Sequence, residues 1–443
     1  MLKNKVVKQA QTLYTEASTV NERRIIVLAG DREAGYALAE QIIDGCGIPW
    51  EDTTAVSSYT GFPCETVNRQ ETSALLGQTN TGVIYDLHTA FSPDGIGRAT
   101  GGIDGGGLGI FLMPDIDLWA ETRSDIDQYL AVPPFDINDV TGHFREHLIK
   151  TLQRHRGICI ISLESESVVK DGQTHPAPRY VTENNKKRPS GTTFPDQAYQ
   201  YCQTNDQRQA LQAIESLTTA PTAVSLESNR GRGKSAVAGI GAACLATMGY
   251  NIVVTAPAYQ NARPVFEHAS KLLERLGVET CSNNETKITT SSGTIRFCKP
   301  AEIPDQCADI LIVDEAAALP VNILECALSF DRIVFATTVH GYEGAGRGFS
   351  LRFKGTLTDS DHTVHEVDLK KPVRYAEADP IEVWMFEALH VNLPRPTPLG
   401  VCPRFVEGGA SCLSDRISCF HDGTYKHCPT LGQARSGASL RRR

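Results

Sequence analysis

Short apolar runs recur along this chain, each ending in glycine or a polar residue and most followed by a segment with helical spacing. RRIIVLAGD closes on Gly30 and Asp31 and leads into REAGYALAEQIIDGCG, whose apolar positions fall at helical intervals up to a terminating glycine. TGVIYDLH predicts a second strand. The glycine-rich segment GRATGGIDGGGLGIFLMP leads into a third at LGIFLM, and FREHLIKTLQRHRG has helical periodicity before the apolar run ICIISL. Strands alternating with helices predict an α/β domain over residues 1–165, a mostly parallel sheet with helices on its faces.

From about Val168 to Pro195 the chain turns polar and rich in Pro, Asn and Lys, the composition of a linker, which we place at 166–195. A second α/β unit, 196–392, follows. Its order is a helix at TNDQRQALQAIESL, a strand at TAVSLES, a glycine loop, the helix KSAVAGIGAACLATMG and the strand NIVVTAP. ADILIVDEA and DRIVFATTV add two more strand runs that end in polar residues. That is the order of a RecA-like P-loop ATPase domain, a parallel sheet with helices on both faces.

Composition changes this picture little. The 443 residues have the apolar and charged fractions of an ordinary globular protein. The first residues, MLKNKVVKQAQTLYTEAS, lack the apolar core and cleavage site of a secretory signal, and no run reaches the ~18 apolar residues of a membrane span. The thirteen scattered cysteines suggest reduced thiols, and a cytoplasmic location is expected. The net charge of −9 is uneven. Residues 401–443 carry seven Lys/Arg against three Asp/Glu, a net +4, which leaves −13 on residues 1–400. An acidic body neither supports nor excludes a nucleic-acid partner, since binding needs only a local basic groove.

The candidate chemistry starts at SLESNRGRGKSA. A strand end, a loop and a helix opening on Gly233-Lys234-Ser235 form the context of a phosphate-binding loop, where backbone amides and the helix N-terminus attract phosphate. Lys234 would reach the β- and γ-phosphates, and the Ser235 hydroxyl would bind magnesium. The general pattern asks for glycine at position 228, where this chain has Ser228, and a surface turn explains the tripeptide alone equally well. ADILIVDEAAALP shifts that balance. A buried strand ending in Asp314 and Glu315 suits a magnesium-shell carboxylate followed by one that orients or deprotonates the attacking water. Gln207 is a candidate for reading the adenine edge, though a solvent-exposed helix glutamine is the commoner case. Thr337 and Thr338 form a polar sensor segment. Arg347 and Arg374 are candidates for the γ-phosphate charge, against the default of surface ion pairs.

RGRGKSA, IVVTAP, VDEAAALP, TTVHGYEGAGRGFSLRF and KPVRYAEADPIEVW, in this order, resemble the tRNA(Met) cytidine acetyltransferase family, over roughly residues 10–390. The resemblance implies an N-terminal domain, a RecD-like helicase module that hydrolyses ATP, a GNAT-fold acetyltransferase domain and a tRNA-binding region. It also implies acetyl transfer from acetyl-CoA to N4 of the wobble cytidine of elongator tRNA(Met). Carried onto this sequence, the ATP contacts are Gln207, the loop Gly231, Arg232, Gly233, Lys234, Ser235, Ala236, Val237, Ala238, Gly239 and Ile240, and Arg374. Magnesium would fall to Ser235 and Asp314. The family's loop also lacks a strict first glycine, so Ser228 departs from the general pattern and not from the family.

After about Leu393 nothing resembles a GNAT domain, so acetyl-CoA is not expected to bind this chain, and only ATPase activity is expected of it. Residues 393–443 read as a divergent, poorly structured tail. Its Cys402, Cys412, Cys419 and Cys428, with His421 and His427, lack the paired spacing of a zinc knuckle. Two other readings stay open: a stand-alone RecD-like helicase or translocase, and a non-catalytic nucleotide-binding RNA scaffold.

Overall fold

The run RIIVLA forms β1 (Arg24–Ala29), buried at every position and placed inside the first of two sheets. This computed structural model describes residues 2–68, 71–72, 75, 79–88, 91–123, 127–128, 131–178, 188–338 and 353–389. The first sheet adds β2 (Thr53–Val56), β3 (Glu65–Val67), β4 (Asn80–Asp86), β5 (Ile103–Met113), β6 (Ile158–Ser162) and β7 (Ser167–Lys170). Its order is β3-β2-β4-β5-β1-β6-β7, and only the β6–β7 pairing is antiparallel. Strands covered on both faces need apolar side chains on both, hence the unbroken runs in the sequence. Ile26 and Leu28 face the helices Leu2–Val20 and Arg32–Cys46, whereas Ile25 and Val27 face Pro93–Gly102 and His143–Arg154.

The second sheet contains β8 (Thr222–Ser228), β9 (Asn251–Thr255), β10 (Cys281–Asn284), β11 (Lys287–Thr289), β12 (Thr294–Cys298), β13 (Ile310–Val313), β14 (Arg332–Thr338) and β15 (Thr363–Leu369). They run in the order β10-β11-β12-β9-β13-β14-β8-β15, parallel from β12 to β15. Helices Asn205–Glu215, Lys234–Thr247 and Tyr259–Arg275 bury one face, and shorter segments around Leu324 and Phe353 bury the other. The α/β class with two mostly parallel sheets is the one the sequence pattern implies.

Some elements escape that pattern. β15 reads TVHEVDL, with polar residues alternating, because as an edge strand it has one neighbour and a partly exposed face. β7 lies within the first residues of the stretch assigned to a linker, 166–195. The glycine-rich segment is a strand along most of its length, since β5 starts at Ile103 and runs through Gly105-Gly106-Gly107. Gly105 allows a close approach: its amide donates to the Arg374 carbonyl at 3.0 Å, and a Cβ there would lie 2.3 Å from that oxygen.

Residues 1–391 make one compact unit. The helix Pro380–Ala388 follows the second sheet in the chain yet buries Ile381, Trp384, Met385 and Ala388 in the core of the first. Asp379 caps that helix by accepting the Glu382 amide at 2.7 Å. The same carboxylate takes the Arg23 side chain at 3.1 and 2.8 Å and the Arg23 amide at 2.7 Å, with both side chains fully buried. Among the described residues, no helix is long and apolar enough to cross a membrane, and the nine cysteines are free thiols.

Trp384 is buried and donates its indole N–H to Thr151 Oγ1 at 3.1 Å. Trp384→Ala is expected to lower stability in urea by about 3–5 kcal/mol through the cavity it leaves. Trp384→Phe, which keeps most of the apolar contact and loses the hydrogen bond, should cost markedly less.

Candidate active site

β8 delivers the chain to a five-residue loop, and the helix Lys234–Thr247 begins directly after it. Gly231 and Gly233 both have φ of +78°, the left-handed region that side chains disfavour. Gly233 is the N-cap, and its carbonyl accepts the Val237 amide at 3.0 Å. The amides of residues 234–236 are therefore those that a helix start leaves for an outside acceptor. Position 228 needs no glycine, because it is still a strand residue paired to β14 and β15. Ser228 instead contributes its hydroxyl, which accepts from Lys234 Nζ at 3.2 Å and donates to the Asn229 carbonyl at 2.7 Å.

The acidic residues arrive from two strands away. β13 pairs with β14 and β14 with β8, so the ends of β13 and β14 lie alongside the loop. Lys234 Nζ donates to Thr338 Oγ1 at 3.0 Å, and Thr338 Oγ1 donates to Glu315 Oε2 at 3.1 Å. One hydroxyl thus bridges the loop lysine and the second carboxylate. Glu315 has φ of +48°, a left-handed backbone rare for a non-glycine residue and typical of residues held at a functional position.

Asp314 is fully buried. Its Oδ1 accepts the Glu315 amide at 2.9 Å, while its Oδ2 is buried with no hydrogen-bond partner. Burial, followed by the nearby Glu315 charge, pushes its carboxyl well above the ordinary carboxylate range; the Ser235 hydroxyl and Lys234 ammonium pull the other way. An orphaned carboxylate oxygen beside a serine hydroxyl fits a divalent cation. Thr337 Oγ1, also buried without a partner, lies on the neighbouring strand.

The other candidates fall into three groups. Gln207 is 3% exposed, so it is not a solvent-facing glutamine. It closes a capping box with Thr204, and its amide reaches the Gly233 carbonyl at 3.4 Å. Arg374 adjoins the loop, for the Val373 amide donates to the Gly231 carbonyl at 3.0 Å. Its Nη1 is buried with no partner, and burial together with the Arg23 charge lowers its pKa. It lines a narrow cleft with Asn229, Arg230, Gly231, Tyr375 and Met385.

In the second group the side chains point away. Arg232 is 4% exposed and pairs with Glu382 at 2.7 Å, with further bonds to Tyr375 Oη and the Lys370 carbonyl. Val237, Ala238 and Ile240 belong to the core under the second sheet, and Gly239 packs against the Val265 carbonyl. Only Ser235 and Ala236 of that run stay partly exposed on the first turn. The third group, Arg347 and the tail Cys402, Cys412, Cys419, Cys428, His421 and His427, lies outside the described residues. Among the described residues no cluster of His, Cys, Asp or Glu forms a ready metal cage. The sequence reading missed Ser228 as the lysine's partner and the set Arg23, Tyr375, Asp379 and Glu382. The signal for the latter was present: two arginines before an apolar strand, and acids spaced through RYAEADPIE.

Residues 1–163 match the family described as tRNA(Met) cytidine acetyltransferase TmcA, N-terminal. Residues 225–392 match RNA cytidine acetyltransferase NAT10/TcmA, helicase domain. The chain belongs to the TmcA family. It is 43% identical over 394 residues to tRNA(Met) cytidine acetyltransferase TmcA of Haloarcula marismortui, covering 87% of this chain and 51% of that protein. The Haloferax volcanii and Pyrococcus abyssi proteins of the same name are 43% and 31% identical, over 86% and 88% of this chain and 51% and 53% of theirs. The chain thus spans about half the length of the TmcA relatives it matches. It also aligns with the large terminase of a thermophilic bacteriophage at 12% identity and a TM-score of 0.30, over 37% of this chain and 45% of that one.

Asp314 supplies a pH test. A carboxyl whose folded pKa is raised favours folding while protonated, so its contribution falls as pH rises from its unfolded pKa of about 4 through the raised value. Without nucleotide and magnesium, the melting temperature of Asp314→Asn should gain on that of wild type as pH climbs through this window. Magnesium should narrow the gap by stabilising wild type only.

Proposed function

We propose that this chain binds and hydrolyses magnesium-ATP as the motor part of a tRNA(Met) cytidine acetyltransferase. The observation that carries the proposal is the bridge from Lys234 through Thr338 to Glu315, beside an Asp314 oxygen with no partner. In this reading the amides of the first helical turn and Lys234 hold the phosphates. Ser235 and Asp314 would hold magnesium, which offsets the phosphate charge. Lys234 leaves the Ser228 and Thr338 hydroxyls for the nucleotide, which releases Thr338 to position Glu315 alone. Glu315 then orients the attacking water and accepts its proton. Arg374, with one guanidinium nitrogen free, neutralises charge that builds on the terminal phosphate. Gln207 reads the adenine edge, and Arg232 contributes its backbone only.

The substrate in this reading is elongator tRNA(Met), with acetyl-CoA as the acetyl donor of the whole enzyme, working in the cytoplasm. Flipping a cytidine out of a stacked anticodon costs a few kcal/mol, which nucleotide-driven motion of the two sheets can supply. Acetyl transfer itself has no candidate among the described residues.

The test is steady-state ATP turnover with magnesium. Wild type is expected to turn over, with Lys234→Ala and Glu315→Gln each lowering kcat by roughly 100-fold or more, the size of losing one transition-state contact. Robust turnover in both variants would remove the assignment.

A further inference from the structure

RGRGKS carries three cations in five residues, and two of them face away from the phosphates. Arg230 Nη2 donates to the Leu75 carbonyl of the first sheet's half at 3.2 Å, and a Cβ on Gly101 of that half would lie 3.0 Å from Arg230 Nη1. Arg232 runs to the segment after β15, where Glu382 and Tyr375 take its guanidinium. Tyr375 Oη donates in turn to Glu382 Oε1 at 3.0 Å, and the Arg23 guanidinium lies 3.7 Å from the Tyr375 ring centroid. Arg23 ends on Asp379 and on the Thr100 carbonyl at 2.9 Å.

A continuous buried chain therefore links the loop to the start of β1: Arg232, Glu382, Tyr375, Arg23, Asp379. The segment that carries it also joins both halves through its backbone. Val373 donates to Gly231, Gly105 donates to the Arg374 carbonyl, and Ala376 donates to the Asn21 carbonyl at 2.7 Å. Arg156 of the first half reaches the Ala378 carbonyl at 2.9 Å. Asn21 and Ala378 both have left-handed backbones, φ +55° and +60°. Two strained residues in one seam mean that its shape is dictated by the contacts on both sides.

We infer that Arg232 and Glu382 are positioning residues for the phosphate loop, and that through them nucleotide binding and docking of the first domain are coupled. The inference rests on the ATP-binding reading above. The loop glycines give it freedom at two φ angles, so something outside must select the shape that fits a triphosphate, and the Arg232–Glu382 pair meets it from the side away from Lys234. Linkage makes the effect mutual: if docking favours the nucleotide-binding shape, nucleotide must favour docking by the same factor.

The experiment measures ATP turnover and hydrogen exchange, with and without ADP, on wild type, Lys234→Ala, Glu382→Gln and Glu382→Asp of the full chain. In wild type ADP should slow exchange of the Arg23 and Ala376 amides, which bond to Asp379 and Asn21 across the seam. Glu382→Gln should raise the ATP KM about tenfold and abolish that ADP effect, while exchange in β4 and β9 without ADP stays as in wild type. Glu382→Asp, which keeps the charge, should restore much of both. A destabilised fold would instead raise exchange in both sheets and would not respond to charge. The inference is overturned if Glu382→Gln keeps wild-type KM and the ADP effect, or if ADP binds wild type without slowing the seam amides. Failure of wild type to bind ADP or turn over ATP would instead strike the ATP reading itself.

Discussion

Asp379 has one carboxylate and three obligations. It neutralises Arg23, accepts the Arg23 amide and caps the helix that carries Trp384 into the first core. Two opposite charges buried at 0% exposure are tolerable only when well hydrogen-bonded, and here Asp379 takes two guanidinium N–H groups and two backbone amides while Arg23 also reaches the Thr100 carbonyl. Removing either partner would strand a charge in the interior, a penalty of about 3–5 kcal/mol. The pair thus fixes where the segment after β15 must run, and that segment is what touches the phosphate loop. The loop's surroundings are set by packing in the other half of the unit.

Much of this was readable beforehand, for a physical reason. Parallel strands buried on both faces must be apolar throughout, so RIIVLA, ILIV and the TAVSLES run stand out without any partner being known. Asp314 and Glu315 at the end of one such run, and Lys234 after another, stand out as candidates because the polar residues that close buried parallel strands gather at one edge of the sheet. Edge strands and connections obey weaker rules. TVHEVDL alternates like a half-exposed strand inside a polar neighbourhood, and the glycines of β5 conceal a strand whose lack of side chains admits the Arg374 carbonyl.

Side-chain direction was the least legible property. A motif treats Arg232 and Val237 as members of one phosphate-binding stretch, but helical geometry divides them. The first-turn amides are left without helical acceptors, and the side chains at 237, 238 and 240 face the core. Arg232 precedes the helix and is turned outward by a buried acid more than a hundred residues later, which no local pattern encodes. Gln207 shows the converse: exposure is the commoner state of a helix glutamine, while here a capping box holds it against the loop.

Ser228 explains how such a loop dispenses with its first glycine. The general pattern places glycine where the chain must turn early; here β8 continues through position 228, flanked by β14 and β15, and the turn falls on Gly231 and Gly233. A side chain at 228 therefore meets no conformational penalty, and a hydroxyl there gives the Lys234 ammonium a neutral partner. Thr338 gives it a second, again a hydroxyl and not a carboxylate. An ammonium held by two hydroxyls is easier to withdraw than one in a buried ion pair, since no direct ion pair has to break. Arg232 is committed to Glu382, whereas the two hydroxyls that hold Lys234 are neutral attachments that an anionic ligand can replace without breaking an ion pair.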